Sequence, residues 1–294
     1  MSVLPSLRRA VAASSLGLLF LSGTALAEID LSGVWVARVH EDFLERGTGP
    51  DMVEYEGLPL SDSGRARALA WDPSLVTLEE YQCRPHPSDY YTRFANFRFS
   101  KVVDSTTQDT IGWHMRKVWQ AAERTIWMDG RARPPEFAAH TFQGFSLGEW
   151  NGDVLSVHTT HLKQAYIRRN GVARSDRAET REHYARHGNH VTVIVVIRDP
   201  ANLTESMIRS SDYELNPQAN IAPYPCDPVV EIVGQPKGYV PHYLPGKHPF
   251  LSEYADKNKL PMEAVLGGAP TMYPEYMQRV RELRAGQPAT ASRN

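Results

Sequence analysis

From Leu31 to about Leu215 apolar and polar residues alternate with period two, the pattern of strands that bury one face. Gly33 to Val39 opens the series with a G-x-W signature. Further strands are predicted over Arg93 to Val103, Thr110 to Gln120, Arg124 to Met128, Gln143 to Trp150 and Val154 to Leu162. Three more follow, over Ala178 to Arg186, Val191 to Arg198 and Met207 to Leu215. Turn residues punctuate them: Asp129-Gly130-Arg131, Asn151-Gly152-Asp153, Asn170-Gly171, His187-Gly188-Asn189 and Asp199-Pro200. Asn151-Gly152 is the strongest hairpin signal among these. Val191 to Ile197 is apolar at almost every position, which predicts a strand covered on both sides. One helix is expected from Ser61 to Ala70, opened by a capping Ser/Asp and stopped by Asp72-Pro73. Eight or nine antiparallel strands with short turns make an all-β closed barrel or a sandwich.

Beyond Pro200 the texture changes. Twelve of the 21 prolines lie between Pro200 and Pro274, and proline cannot donate to a strand ladder. Ser252 to Lys257 and Pro274 to Leu283 are the helical candidates there, the second with Tyr276, Val280 and Leu283 on one side. The expected organisation is a β domain over 28–215, a proline-rich C-terminal arm over 216–285 that packs on it and ends in a helix, and a disordered tail over 286–294.

The first 27 residues stand outside this pattern. Arg8 and Arg9 form a basic start, Ala10 to Leu21 an apolar run, and Ala25-Leu26-Ala27 an A-x-A cleavage site, which together predict a secretory signal peptide. That run is too short to span a bilayer, and no later run reaches the roughly 20 residues that spanning takes. No membrane span is therefore expected, and the mature protein is placed in the periplasm or outside the cell. In such an oxidising compartment Cys83 and Cys226, each beside proline, are expected to form a disulfide. His86, three residues after Cys83, leaves a thiol nucleophile as the other reading of that cysteine.

Composition narrows the partners. The chain of 294 residues is 41% hydrophobic and 22% charged with a net charge of −2, so it carries no basic footprint and no nucleic acid is expected. Neither a phosphate loop nor a dinucleotide fingerprint occurs, so no nucleotide cofactor is expected either.

A longer pattern runs through the middle of the chain. It comprises Asp129-Gly130-Arg131, Pro134-Pro135, then Gly144-x-Ser146-x-Gly148-x-Trp150-x-Gly152-Asp153-x-Leu155. It continues through Thr159-Thr160-His161-Leu162-Lys163, Arg168-Arg169-Asn170-Gly171 and Ser175-Asp176, and reaches both cysteine loops. This resembles a large family of exported bacterial proteins, mostly uncharacterised, with the pattern DGR-x-HP … G-x-S-x-G-x-W-E-G-D-x-L. Ala132-Arg133 stands where that pattern has x-His, and Asn151 where it has Glu. The opening Gly33-Val34-Trp35 is similar to the first strand of lipocalin-type barrels. The resemblance implies export and a lipocalin-like antiparallel barrel of about eight strands. It supplies no reaction.

Gly144 to Gly148 also matches the G-x-S-x-G nucleophile elbow, but the elbow needs a strand–turn–helix and this segment runs on to a hairpin. A strand with small residues on one face, leaving room for a ligand or a neighbouring side chain, fits better. The densest polar stretch runs from His158 to His187. In the strand ending at Leu162, His161 alternates with Leu155, Val157 and Thr159 and is expected to point into the barrel. There it is the candidate general base or acid, with Lys163 and Tyr166 polarising and Asp176 orienting. Arg168 and Arg169 are expected to hold an anionic group, and His140 stands in reserve on a loop crossing the mouth. Such chemistry uses no cofactor. The bland reading of the same stretch is a solvated face of cross-strand ion pairs with one hydrogen-bonded core histidine. No metal site is expected from His158-x-x-His161, whose residues fall on opposite strand faces, although His114, His140 and His161 could meet in space.

Two functions follow. One is a cofactor-free lyase, isomerase or hydrolase acting on a partly apolar small molecule in a barrel cavity. The other is a carrier that binds such a ligand without chemistry.

Overall fold

The computed structural model describes residues 29–38, 49–93, 95–118, 120, 122–231, 233–236 and 238–286. The expected signal peptide and cleavage site lie outside these residues, as do 287–294 of the expected tail.

Nine strands close into a barrel. They are β1 (Gly33–Ala37), β2 (Phe97–Val103), β3 (Thr110–Lys117), β4 (Glu123–Trp127), β5 (Phe145–Asn151), β6 (Val154–Thr160), β9 (Glu179–His187), β10 (His190–Arg198) and β11 (Met207–Leu215). A separate two-stranded ribbon, β7 (Ala165–Tyr166) and β8 (Ala173–Arg174), comes between β6 and β9. Around the barrel the order is β1-β11-β10-β9-β6-β5-β4-β3-β2 and back to β1.

The predicted strand series is thus present to within a few residues at each end, with two corrections. Nine strands is within the eight or nine read from the pattern but one more than the lipocalin resemblance implies, and the barrel is mixed rather than wholly antiparallel, because β4 and β5 are parallel through Ile126↔Ser146 and Trp127↔Leu147. Asp129-Gly130-Arg131 therefore does not make a hairpin. Parallel neighbours need a return connection, and residues 128–144 supply it. Val191 to Ile197 is covered on one side only: Val191, Val193, Val195 and Ile197 are buried while Ile194 faces solvent.

The barrel is filled by its own side chains. Trp35, Trp113, Phe97, Phe99, Tyr184 and Tyr213 are buried, with edge-to-face ring contacts such as Phe97–Tyr213 at 4.7 Å and Phe99–Tyr184 at 5.4 Å. Other buried positions of the strands are charged. Arg124 on β4 and Glu182 on β9 form a wholly buried ion pair, joined by the Tyr184 hydroxyl, which donates to Glu182 at 2.5 Å. Ser146 and Thr159, bonded to each other at 2.9 Å, accept from the same guanidinium at 3.5 and 3.3 Å. The G-x-S-x-G stretch is accordingly plain strand. A Cβ on Gly148 would stand 2.4 Å from Met128 Sδ and 2.9 Å from Ile126 Cγ2, so glycine there admits side chains of β4 and of Met128 just beyond it.

Helix α1 (Asp62–Leu69) starts where expected, with the Ser61 hydroxyl accepting from Gly64 N at 3.1 Å. After a 3-10 turn at Pro73–Thr77 comes α2 (Glu79–Gln82), and α3 (Glu253–Asn258), α4 (Met262–Val265) and α5 (Tyr276–Ala285) lie in the C-terminal region. Of these, α2 and α4 were not predicted; each is one turn long and leaves no periodic signature. The C-terminal region binds the α1 segment by Gly57 N to Gly268 O at 3.1 Å and by Tyr243 N to Ala70 O at 2.8 Å. Among the described residues no helix is long and apolar enough to cross a membrane.

Candidate functional site

The segment following Cys83 leaves the surface and becomes buried at Ser88 and Asp89. Lys117 donates to Ser88 O at 2.9 Å, and Asp89, wholly buried, is ion-paired with Arg174 of β8. Arg209 donates to Asp89 O. Burial pushes the Lys117 ammonium down to about 7, helped by the charge of Arg124. The Asp89–Arg174 pair has a positional consequence. Asp89 is three residues beyond His86, and Arg174 is the ladder partner of Ala165, the neighbour of Tyr166. One buried bridge therefore sets His86 against Tyr166.

These two side chains face a cleft of about 720 Å³ beside the barrel. Its apolar walls include Trp71, Leu75, Val76, Pro85 and Phe142, and its cationic lining is Arg84, Lys163, Arg168 and Arg169. The turn carrying the two arginines closes through Ile167 N to Val172 O at 2.8 Å. It is held by buried Asn170, which donates to Asp51 O at 3.0 Å and Glu54 O at 3.2 Å. Gly171, at φ 95°, lets this turn press on Trp71: a Cβ would sit 2.6 Å from the Trp71 Cβ. On the opposite wall Lys163 N donates to Thr141 O at 2.7 Å and Gln143 Nε2 donates to His86 O at 2.7 Å, which seats Phe142 between them.

His86 Nδ1 and the Tyr166 hydroxyl form a hydrogen bond, and Tyr90 packs against both rings at 5.0 Å. Burial lowers the His86 pKa to about 4, and the charge of Arg169 acts the same way. Burial raises the pKa of Tyr166, with Tyr90 contributing and Arg169 opposing. At neutral pH the pair is thus a neutral imidazole accepting from a protonated phenol.

Of the residues expected from the sequence, Lys163, Tyr166, Arg168 and Arg169 line this one cleft. His161 does not, and it does not enter the barrel. The β6 alternation ends at Thr160, and His161 turns with φ 55°, so that buried Leu162 takes the inward place. Its ring lies between Thr160 Oγ1 at 2.9 Å and Pro135 O at 3.0 Å, with His140 at 5.4 Å. His140 itself donates to Leu162 O at 3.0 Å. Asp176 is exposed in the turn before β9. His114 stands apart from both histidines, beside Glu123 at 3.5 Å, and among the described residues no three metal-ligating side chains converge.

Compared with protein-family models and with curated proteins, the chain gives no match. The site therefore rests on its own geometry. Sequence reasoning missed His86 as a partner of Tyr166, along with the aromatic walls Trp71 and Phe142. His86 had drawn notice only for its distance from Cys83, and that cysteine is taken. Cys83 and Cys226 stand at disulfide distance, their Cα atoms 5.7 Å apart. This joins the C-terminal arm to the cleft wall, where Gln82 also exchanges hydrogen bonds with the backbone of Val229 at 2.5 and 2.6 Å.

The DGR motif lies elsewhere. Arg131 pairs with Asp129 at 2.6 Å and stacks on Trp127 at 3.3 Å, while Arg133 donates to His158 Nδ1 at 2.6 Å. His158 Nε2 then donates to Glu179 at 2.8 Å. These contacts hold the return loop against the outer face of β5, β6 and β9 over a groove of about 520 Å³.

Proposed function

We propose that the protein is an exported small-molecule enzyme whose cofactor-free acid/base chemistry takes place in the cleft beside the barrel. The observation that carries this is the His86–Tyr166 pair, a base lone pair and a proton joined by one hydrogen bond at an apolar wall. A proton removed from bound substrate, or from water attacking it, passes to the Tyr166 oxygen as the Tyr166 proton moves to Nδ1 of His86. The resulting imidazolium lies near Arg169, which makes it a ready acid, and the reverse transfer protonates the product. A lyase, an isomerase and a hydrolase all use these two steps. The lipocalin-like character is assigned to the barrel as scaffold; its packed interior moves the ligand site from the lumen to the side.

The test incubates a small-molecule extract of the source cells with purified protein and follows consumption by mass spectrometry. One compound should be consumed, and Tyr166→Phe should slow this by at least about 100-fold while leaving the melting temperature in place. The rate should hold steady from neutrality downward and fall only as pH drops through about 4, where His86 protonates. Consumption that is unchanged in Tyr166→Phe contradicts the assignment. A compound bound and recovered intact supports the second reading, a carrier, which the Trp71, Leu75, Val76 and Phe142 wall favours.

Export to the periplasm or beyond is proposed from the N-terminal sequence, and the Cys83–Cys226 pair accords with it. The intact mass of exported protein should lack residues 1–27 and be two hydrogens below the reduced form. Two titratable thiols in the undenatured protein contradict this.

A further inference from the structure

The cleft has a polarity that the acid/base pair does not require. Four cationic side chains line it against one carboxylate, Glu231, in a chain whose net charge is −2. Two of the four are engaged. Arg168 lies 3.4 Å from Glu54, and Arg84 stacks on Tyr81 at 3.5 Å while donating to Glu80 O at 2.6 Å. Lys163 and Arg169 are different: both are exposed, and neither has a carboxylate within salt-bridge distance among the described residues. Lys163 extends over the Phe142 ring at 5.4 Å, and Arg169 lies close enough to His86 and Tyr166 for its charge to act on both. Positive charge thus gathers at the mouth, above apolar walls, with the neutral proton relay farther in. A cleft with low-dielectric walls focuses such a field on an entering ligand.

We propose that the ligand of this cleft is an apolar organic monoanion. Its single compact acidic head, a carboxylate or sulfonate, is held at the mouth by Lys163 and Arg169, and its aromatic or aliphatic body lies on Phe142, Trp71 and Leu75. Two uncommitted cations match one such head, whereas a polyphosphate would need more donors than the mouth offers. Bound head-outward, the ligand presents a position on its body to the Tyr166 hydroxyl. This rests on the cleft being the ligand site, as proposed above, but not on any turnover.

Two dyes with one body separate the claims. 8-Anilino-1-naphthalenesulfonate carries the acidic head, and N-phenyl-1-naphthylamine lacks it; both brighten in apolar sites, and binding is read as fluorescence titration of the full chain. The sulfonate should bind at least about tenfold more tightly than the neutral dye, and this advantage should collapse in roughly 0.5 M salt. In the Lys163→Gln/Arg169→Gln variant the sulfonate should lose about tenfold while the neutral dye is unaffected. The two substituted side chains are exposed, so folding is preserved, and circular dichroism checks it. Phe142→Ala should weaken both dyes. Equal affinity of the two dyes, or a sulfonate affinity untouched by the double variant, overturns the anion assignment. Indifference of both dyes to Phe142→Ala overturns the cleft itself.

Discussion

Glu182→Ala is expected to destabilise the protein by about 3–5 kcal/mol, because it strands the Arg124 charge in the barrel core. The side chains of Arg124 and Glu182 are 2% and 0% exposed. Burial alone would raise the Glu182 pKa, but the Arg124 charge and hydrogen bond outweigh it and hold the carboxyl below its usual value. Burial likewise opposes the Arg124 charge, and Glu182 and Tyr184 overcome that and raise its pKa. Once Glu182 is gone, Lys117 also loses an anion that supports its charge. Urea titration should show the loss as a lower midpoint at unchanged slope. The double variant Arg124→Met/Glu182→Leu should return most of the stability, since a buried pair replaced by apolar groups of similar size is often neutral or better. If Glu182→Ala costs less than about 1 kcal/mol, water reaches the pair and the barrel is not packed as described.

Trp35→Ala is expected to cost about 3–5 kcal/mol as well, by a different mechanism. Trp35 is wholly buried, with Phe97 as its ladder partner on β2 and Leu215 on β11. Its indole Nε1 donates to Leu31 O at 2.9 Å, and Arg186 lies over the ring at 5.4 Å. Removing it opens a cavity where β1 closes the barrel between β2 and β11, and it leaves the Leu31 carbonyl without this donor. A change under about 1 kcal/mol would place the residue at the surface and dissolve the β1 assignment with it.

How much of this could be read from the chain differs by level. The strands were legible because alternation reports which face is buried, and the Ser61 cap and the Pro73 stop marked α1. Alternation says nothing about which strands are neighbours, so the parallel β4–β5 pair was not legible, and β7 and β8, two residues each, are too short to alternate. His161 was misplaced for a related reason: periodicity carried one residue past the end of β6, and a left-handed φ is invisible to it. The cleft was half legible. Lys163, Tyr166, Arg168 and Arg169 lie within seven residues, but His86 reaches Tyr166 only because Asp89 meets Arg174, 85 positions away. Alternation along β9 places Glu182 on one face with Thr180 and Tyr184, and that face is the buried one, yet nothing local tells a buried ion pair from a solvated one.

The proposed ligand site is the cleft between Phe142 and the His86–Tyr166 pair. A crystal structure of protein purified from its natural source, or soaked with the compound consumed in the extract assay, would show what the cleft holds. Density for an organic molecule is expected in that cleft, its acidic head at Lys163 and Arg169 and its body on Phe142. Density inside the barrel or in the groove beside Trp127 and His158, with only water in the cleft, would contradict it.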